Sequence, residues 1–585
     1  MGLLQPVHPD VDPDEFLARP FFDRLKYLGA HWVDHGFGTP RVVHVIYILK
    51  VALLYVGLGL FLIARTSALP SLAHFGDWWS QPVVYQKLVL WTMLLEVIGI
   101  AGTWGPLAGH FKPMTGAILY WVRPGMIRVA PWPGKVPFTA GDSRTVVDVA
   151  LYLAALASLT TAFVLEPVGV HHLVRPGALW PVLVIMIVLG LRDKTIFLAA
   201  RSEQYLPAIF FSAVLGYTDM IIAFKMLIVS VWLGAGVSKL GQHFINVVPP
   251  MVANAPFMPT NRIARAHYRG YPDDLLPSKL AWFMAHVGGT FVEIVTPLVL
   301  LFTTNPTIAL LGVIVMVTFH LFITSMFPFA VPLEWNVFFG FAAVLLFRGY
   351  PNGAGWAVWD MSSPWLVVGC AALLLFFPVL GELRPDLVAF LPSMRQYAGN
   401  WASATWAFAP GCEERINELG LPARLQVEQL AARGFEPGMA EITVQLTMAW
   451  RSMHSQARGL LSVLGKHVDL DTYTVREAEL LCNLILGWNF GDGHLHDERL
   501  ISAIQRRLNF APGELVVVWV ESQPIHRRTQ AYRVIDAALG VVERGTWRVP
   551  DAVVEQPWLP NGPIAHHVEW TLPGHRPAGS ATMDA

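Results

Sequence analysis

Long apolar runs separated by short polar breaks fill the first two thirds of the chain, and they predict a helical membrane bundle. The runs lie at Val42–Ala64, Val83–Gly102, Val146–Leu165, Leu179–Ala199, Met220–Leu240, Leu280–Phe302, Ile308–Phe327, Trp335–Phe347 and Trp365–Leu380. Most approach or exceed the roughly 20 residues that cross a bilayer as helix, so a polytopic all-α bundle of about eight or nine transmembrane helices is expected over residues 42–381. Tyr205–Tyr217 is apolar but short, which suits an interfacial or re-entrant segment. Ahead of the first run, PFFDRLKYLGAHWVDHGFG mixes aromatic and charged residues, as in a helix lying along the membrane surface, and marks 1–41 as an N-terminal interfacial segment.

Past Gly381 the pattern changes. EITVQLTMAW and ELVVVWVES read as buried strands, whereas LPARLQVEQLAARG and DERLISAIQRRLN carry helical spacing. A soluble α+β domain is therefore expected over 382–575, followed by a disordered tail at 576–585.

Composition agrees with the membrane reading. Charged residues make up 14% of the 585, against about 25% in soluble globular proteins. The net charge of -1 and the lack of a basic stripe exclude a nucleic-acid partner. Lys112, Arg123, Arg128, Lys135 and Arg144 place the long loop after the second run, and with it the N-terminus, in the cytoplasm. Arg262, Arg265 and Arg269 oppose that scheme if the Gly241–Lys279 loop lies outside. An odd span count puts the C-terminal domain outside the cell, an even one inside.

Ionisable residues within the runs are the candidates for chemistry, because charge in hydrocarbon is costly. Those singled out are Glu96, Lys225, Lys239, His286, Glu293 and His320, with Asp219 at a helix start. Lys225 is expected to snorkel from the beginning of its run. His286 and Glu293, seven residues apart, fall within about 20° of one face of an α-helix. Pro297 removes the hydrogen bond to the Glu293 carbonyl and can open the helix there. Lys239 reads either as a snorkelling lysine or as a general base whose desolvation frees a lone pair.

In order along the chain, GAGVSKL at 234–240, GGTFVEIVTPLVLL at 288–301 and VTFHLFITSMFPF at 317–329 resemble the HTTM membrane domain, the family of the vitamin K-dependent gamma-carboxylases. The whole chain is also similar to an uncharacterised actinobacterial membrane-protein family. The HTTM resemblance implies that Lys239 deprotonates a reduced quinone, with menaquinone as the bacterial counterpart of vitamin K. Glu203, His286, Glu293 or His320 would then polarise or orient the substrate. Two departures stand out: Glu203 occupies the place of the catalytic histidine, and Gly241, Gln242, His243 and Phe244 replace the acidic residues and tryptophan after Lys-Leu. The alternative is a non-enzymatic lipid-binding or assembly factor of the cell envelope, in which the bundle holds membrane lipid and the C-terminal domain docks a protein partner.

In the C-terminal domain, GWNFGDGHLHDERL offers His494, His496 and Asp497 as weak metal ligands. The competing reading is a glycine-rich turn with Asp497 capping the helix that follows.

Overall fold

The computed structural model describes residues 2–69, 72–100, 117–326, 333–388, 395–488, 495, 497–556, 558 and 563–575. The predicted tail at 576–585 lies outside them. Among the described residues, six helices are long and apolar enough to cross a membrane: α2 Arg41–Ser67, α4 Val146–Val164, α7 Tyr217–Ser238, α8 Lys279–Phe302, α9 Pro306–Ser325 and α11 Pro364–Leu383. Ahead of them lies α1 Phe21–His35. Between them lie the shorter α3 Pro82–Ile98, α5 Pro176–Arg192, α6 Ser202–Val214 and α10 Leu333–Val344.

Local stops explain why α3 and α5 are short. Gly99 ends α3 in the left-handed region, where a Cβ would sit 2.7 Å from that of Ala117. Asp193 ends α5 in extended backbone, caps the next short helix and pairs with Arg144, so the expected run to Ala199 is broken in two. The Tyr205–Tyr217 segment, expected at the interface, is the helix α6, packed against α3, α5 and α7. Several of the long helices begin with side-chain caps: Thr145 and Asp148 form a capping box at α4, Asn305 caps α9 and Ser363 caps α11.

Interhelical contacts separate two ends. At one end, Tyr350 donates to the Ser80 carbonyl at 2.7 Å, the Asn352 amide serves the carbonyls of Leu300, Leu301 and Thr303, and His171 stacks on Tyr217. At the other end, Arg128 holds the Arg192 carbonyl at 2.5 Å, Lys194 N–H donates to the Val129 carbonyl, and Trp32 donates to the Pro250 carbonyl. The C-terminal region docks on this second end through Trp121 to the Leu486 carbonyl, Arg499 to the Pro131 carbonyl and Arg507 to Ser143.

That region is built on a six-stranded antiparallel sheet. Its strands are β1 Ser403–Phe408, β2 Thr474–Glu477, β3 Leu515–Val520, β4 Thr529–Asp536, β5 Gly540–Arg548 and β6 His566–Thr571, in the order β2-β1-β3-β4-β5-β6. The period of two shows in β3. Leu515, Val517 and Trp519 join the core shared with α14 Ala478–Leu486, α15 Glu498–Leu508 and the bundle. Val516, Val518 and Val520 face α12 Pro437–Ser452 and α13 Ser455–His467.

Two expectations need correction. EITVQLTMAW is not a strand but lies within α12. Pro437 sits in the first turn, and residues on every side of the helix are buried, so β-branched Ile442, Thr443 and Val444 masked the helical period. The apolar face of α1, expected against lipid, packs on α12 instead, with Phe21, Leu25, Leu28 and Trp32 in the core of the C-terminal region. The three cysteines are buried free thiols.

Candidate functional site

Lys239 caps the C-terminal end of α7, and its Nζ is salt-bridged to Glu293 of α8. The two side chains have relative exposures of 7% and 5%. Such a pair forms only because α7 and α8 approach closely. A Cβ on Gly236 would lie 2.7 Å from Ile294 Cγ1 and 3.2 Å from Glu293 Cβ, so the small residue ahead of Lys-Leu is a packing requirement. The ammonium also sits 5.3 Å from the ring centre of Phe244 and 5.9 Å from that of Phe319, within cation–π range. Leu240, the next residue, is 57% exposed on the surface of the bundle.

His320 follows Phe319 on α9. Its Nε2 accepts from Trp232 Nε1–H at 3.0 Å and its Nδ1 lies 3.0 Å from Asn336 Oδ1. An indole can only donate, so Nε2 is unprotonated and Nδ1 carries the hydrogen. The ring is thereby locked, and it lies within the electrostatic reach of Lys239. Lys239 and Glu293 thus meet, with His320 nearby, although 81 positions separate Lys239 from His320 along the chain.

His286 does not join them. Residues Met284–Phe291 form a π-helical stretch within α8, which rotates each residue by less than an α-helix does, so a spacing of seven no longer returns to one face. His286 is half-buried and packs on the exposed Trp282 ring, whereas Glu293 points inward. The irregularity expected at Pro297 lies upstream of it, in this stretch. Glu203 stands half-buried in the first turn of α6, and Lys239 has no ion pair with it. Lys225 does not snorkel: it is 1% exposed and donates to the Tyr350 carbonyl, Asn352 Oδ1 and the Trp356 carbonyl at 2.5, 2.8 and 2.7 Å. The loop after α10 folds over it and supplies all three acceptors.

A second ionic cluster in the bundle was signalled in the sequence only by Glu96. Lys50 of α2 pairs with Glu334 of α10 at 2.6 Å, and Arg201 pairs with Glu96 of α3 at 3.2 Å while lying 5.8 Å from the Trp488 ring. Lys50 interrupts the first apolar run between Tyr47 and Tyr55, and that was the available signal. Lys87, in the second run, likewise turns out to hold the carbonyls of Thr66 and Leu165 at the ends of α2 and α4.

In the C-terminal region, Asp497 is the N-cap of α15 and pairs with Arg499. Burial by itself would raise its carboxyl, but Lys194 and Arg499 hold it below the usual carboxylate range. His494 and His496 lie outside the described residues, among which no group of three metal-ligating side chains occurs.

The model of a family of transmembrane proteins of unknown function, DUF3556, matches residues 1–569, and the chain belongs to that family. No curated protein and no solved structure matches it.

Proposed function

We propose that this member of the DUF3556 family is a plasma-membrane protein whose Lys239–Glu293 pair exchanges a proton with a substrate in the lipid phase, a reduced quinone or a lipid with an acidic hydroxyl. The observation that carries the reading is convergence. The three segments that resemble the HTTM domain supply Lys239, Glu293 and Phe319–His320 to one place.

Burial penalises charge, so in hydrocarbon a neutral amine beside a neutral acid lies closer in energy to the ion pair than it does in water. Glu293 is placed to take the Lys239 proton and leave the lone pair that a general base needs. Phe244 and Phe319 supply apolar ring faces around that nitrogen. These residues fit a ring hydroxyl such as that of reduced menaquinone: Lys239 is the proton acceptor, and the phenyl rings are the walls. His320, fixed in one tautomer, orients its surroundings.

Orientation follows from charge. Arg123, Arg128, Lys135, Arg144, Arg192, Lys194, Arg262, Arg265 and Arg269 all belong to connections at the end on which the C-terminal region docks. The helix α6 adds one more passage between the two ends, so the Gly241–Lys279 loop joins the basic side, and the positive-inside rule puts that side in the cytoplasm.

The second reading is a lipid-binding or assembly factor, in which the bundle holds lipid and the C-terminal domain docks a protein partner. It is favoured by the closed ion pair, since a helix clamp has the same geometry. Mass spectrometry of molecules co-purifying with the wild type and with the paired Lys239→Met/Glu293→Leu variant separates the two. A quinone kept by the wild type and lost from the variant supports proton exchange. A phospholipid held equally by both makes the pair a clamp.

A further inference from the structure

The seam between the bundle and the C-terminal region holds a set of reactive side chains that the Lys239 reading does not use. His243 lies one turn beyond Lys239. Its Nδ1 is 2.8 Å from Ser455 Oγ and its Nε2 is 2.9 Å from Gln523 Oε1. The Gln523 amide is held in one orientation, because its Nε2 donates to the Arg527 carbonyl and its backbone N–H and C=O both bond Asn400. Its Oε1 therefore accepts from His243 Nε2–H, which leaves the Nδ1 lone pair facing the Ser455 hydroxyl.

Ser455 is the first residue of α13, which starts without a side-chain cap. The partial positive charge of a helix N-terminus thus adjoins the hydroxyl. Arg451, at the end of α12, lies 4.0 Å over the Trp401 ring and gives Nη2 to Gln456 Oε1 at 2.7 Å. It is fully buried, its Nε and Nη1 make no hydrogen bond among the described residues, and Glu477 stands 3.8 Å from Nε. A buried guanidinium with an open edge calls for an acceptor.

We propose that Ser455, His243 and Gln523 form an acyl-transfer triad that acts on the carbonyl of an ester or thioester. In the first step Ser455 Oγ adds to the carbonyl carbon, its proton passes to His243 Nδ1, and the carbonyl π electrons move to oxygen. The α13 amides and Arg451 are the nearby donors for that oxyanion. Collapse breaks the bond to the alkoxide or thiolate, which takes the proton from His243 and leaves an acyl group on Ser455. Water then repeats the sequence with His243 as base, releasing a carboxylic acid and restoring the serine. A neutral Gln523 orients the imidazole but stabilises its charged form less than a carboxylate does, so the triad is slower than one with a carboxylate in third place.

The test is covalent labelling of the full chain, reconstituted in phospholipid nanodiscs, with a fluorophosphonate, read by peptide mass spectrometry. A single adduct on Ser455 is expected, retained in Ser452→Ala and absent from Ser455→Ala. His243→Gln should slow it about 100-fold. Gln523→Glu should speed it, an effect that a purely structural hydrogen bond would not produce. Wild-type protein that elutes as a folded monodisperse species yet carries no adduct on Ser455 overturns the proposal, as does equal labelling of His243→Gln. In a second arm, release of acid from a fluorogenic phospholipid ester but not from a short water-soluble thioester makes the substrate a membrane lipid, and the reverse makes it a soluble carrier. Turnover of neither removes the acyl-transfer reading.

Discussion

Two buried ionic clusters in the bundle use the same residue types and serve different ends. Lys50–Glu334 and Arg201–Glu96 bring two cations and two carboxylates together, tie α2, α3 and α10 to the residue preceding α6, and close against Trp488 of the C-terminal region. Lys239–Glu293 is a single pair at a helix end, flanked by phenyl rings and next to a residue open to the surface. The four-charge cluster is a fastener, since each charge is balanced within reach. Among the described residues no second cation or carboxylate is bonded to this single pair, so a proton moved from Lys239 to Glu293 changes its character entirely. A buried charge therefore marks a place worth inspecting, and its neighbours decide whether it holds or reacts.

The largest effect should come from the fastener. Arg201→Leu strands the Glu96 carboxylate in the bundle and should cost about 3–5 kcal/mol, seen as a collapse of folded yield in fluorescence-detected size exclusion. Adding Glu96→Gln should recover most of it. Lys239→Met alone should carry a similar penalty, whereas Lys239→Met/Glu293→Leu should melt within about 1–2 kcal/mol of wild type while losing any bound quinone. If the Arg201 variant melts like wild type, the distinction between fastener and reactive pair disappears.

Acid should act on the C-terminal seam. Burial lowers His243 to about 4 and His454 to about 3, so both stay neutral in the folded protein while the unfolded chain protonates them near 6.5. The unfolded state then binds more protons between pH 4 and 6.5, and stability falls as pH falls, by about 1.4 kcal/mol per unit for each histidine. Glu477, raised by burial to about 7, works the other way and offsets one of the two. Intrinsic tryptophan melting curves should drop in midpoint from pH 6.5 to 4.5 for wild type and drop less for His454→Asn.

Smaller tests address how the lone pair is positioned. Gly236→Ala forces a Cβ against Ile294 and Glu293 and should cost about 1–3 kcal/mol, with weaker retention of bound lipid or quinone. Trp232→Phe removes one hydrogen bond to His320 and should cost about 1 kcal/mol, with a loss of tautomer order visible in the His320 ring nitrogen NMR shifts. Equal melting of Trp232→Phe and wild type would mean that the His320 ring is held by Asn336 alone.

Much of the candidate site was legible in the chain. Lys239, Glu293 and His320 stood out as charge or imidazole within apolar runs, and they come together. His286 misled because the α-helical period was assumed across a π-helical stretch, a hydrogen-bond slip that no residue type announces. Lys50 was passed over within its run, and Arg201 and Glu334 lie at the borders of runs, where charge is ordinary. The seam of His243, Ser455 and Gln523 was illegible, since its members are separated by 212 and 280 residues and each is unremarkable in its own segment.

What the sequence determined by itself is what depends on local physics. A bilayer demands long apolar stretches, so the apolar helices of the membrane region could be read from hydropathy. The strand period of Leu515–Val520 and the amphipathic pattern of Glu498–Leu508 were likewise plain. Only the tertiary structure decided which charges meet, that α12 is helical though rich in β-branched residues, and that α1 covers the C-terminal region instead of lipid. Those outcomes rest on pairings between distant segments, whose energies come from desolvation and close packing and leave no trace in either segment alone.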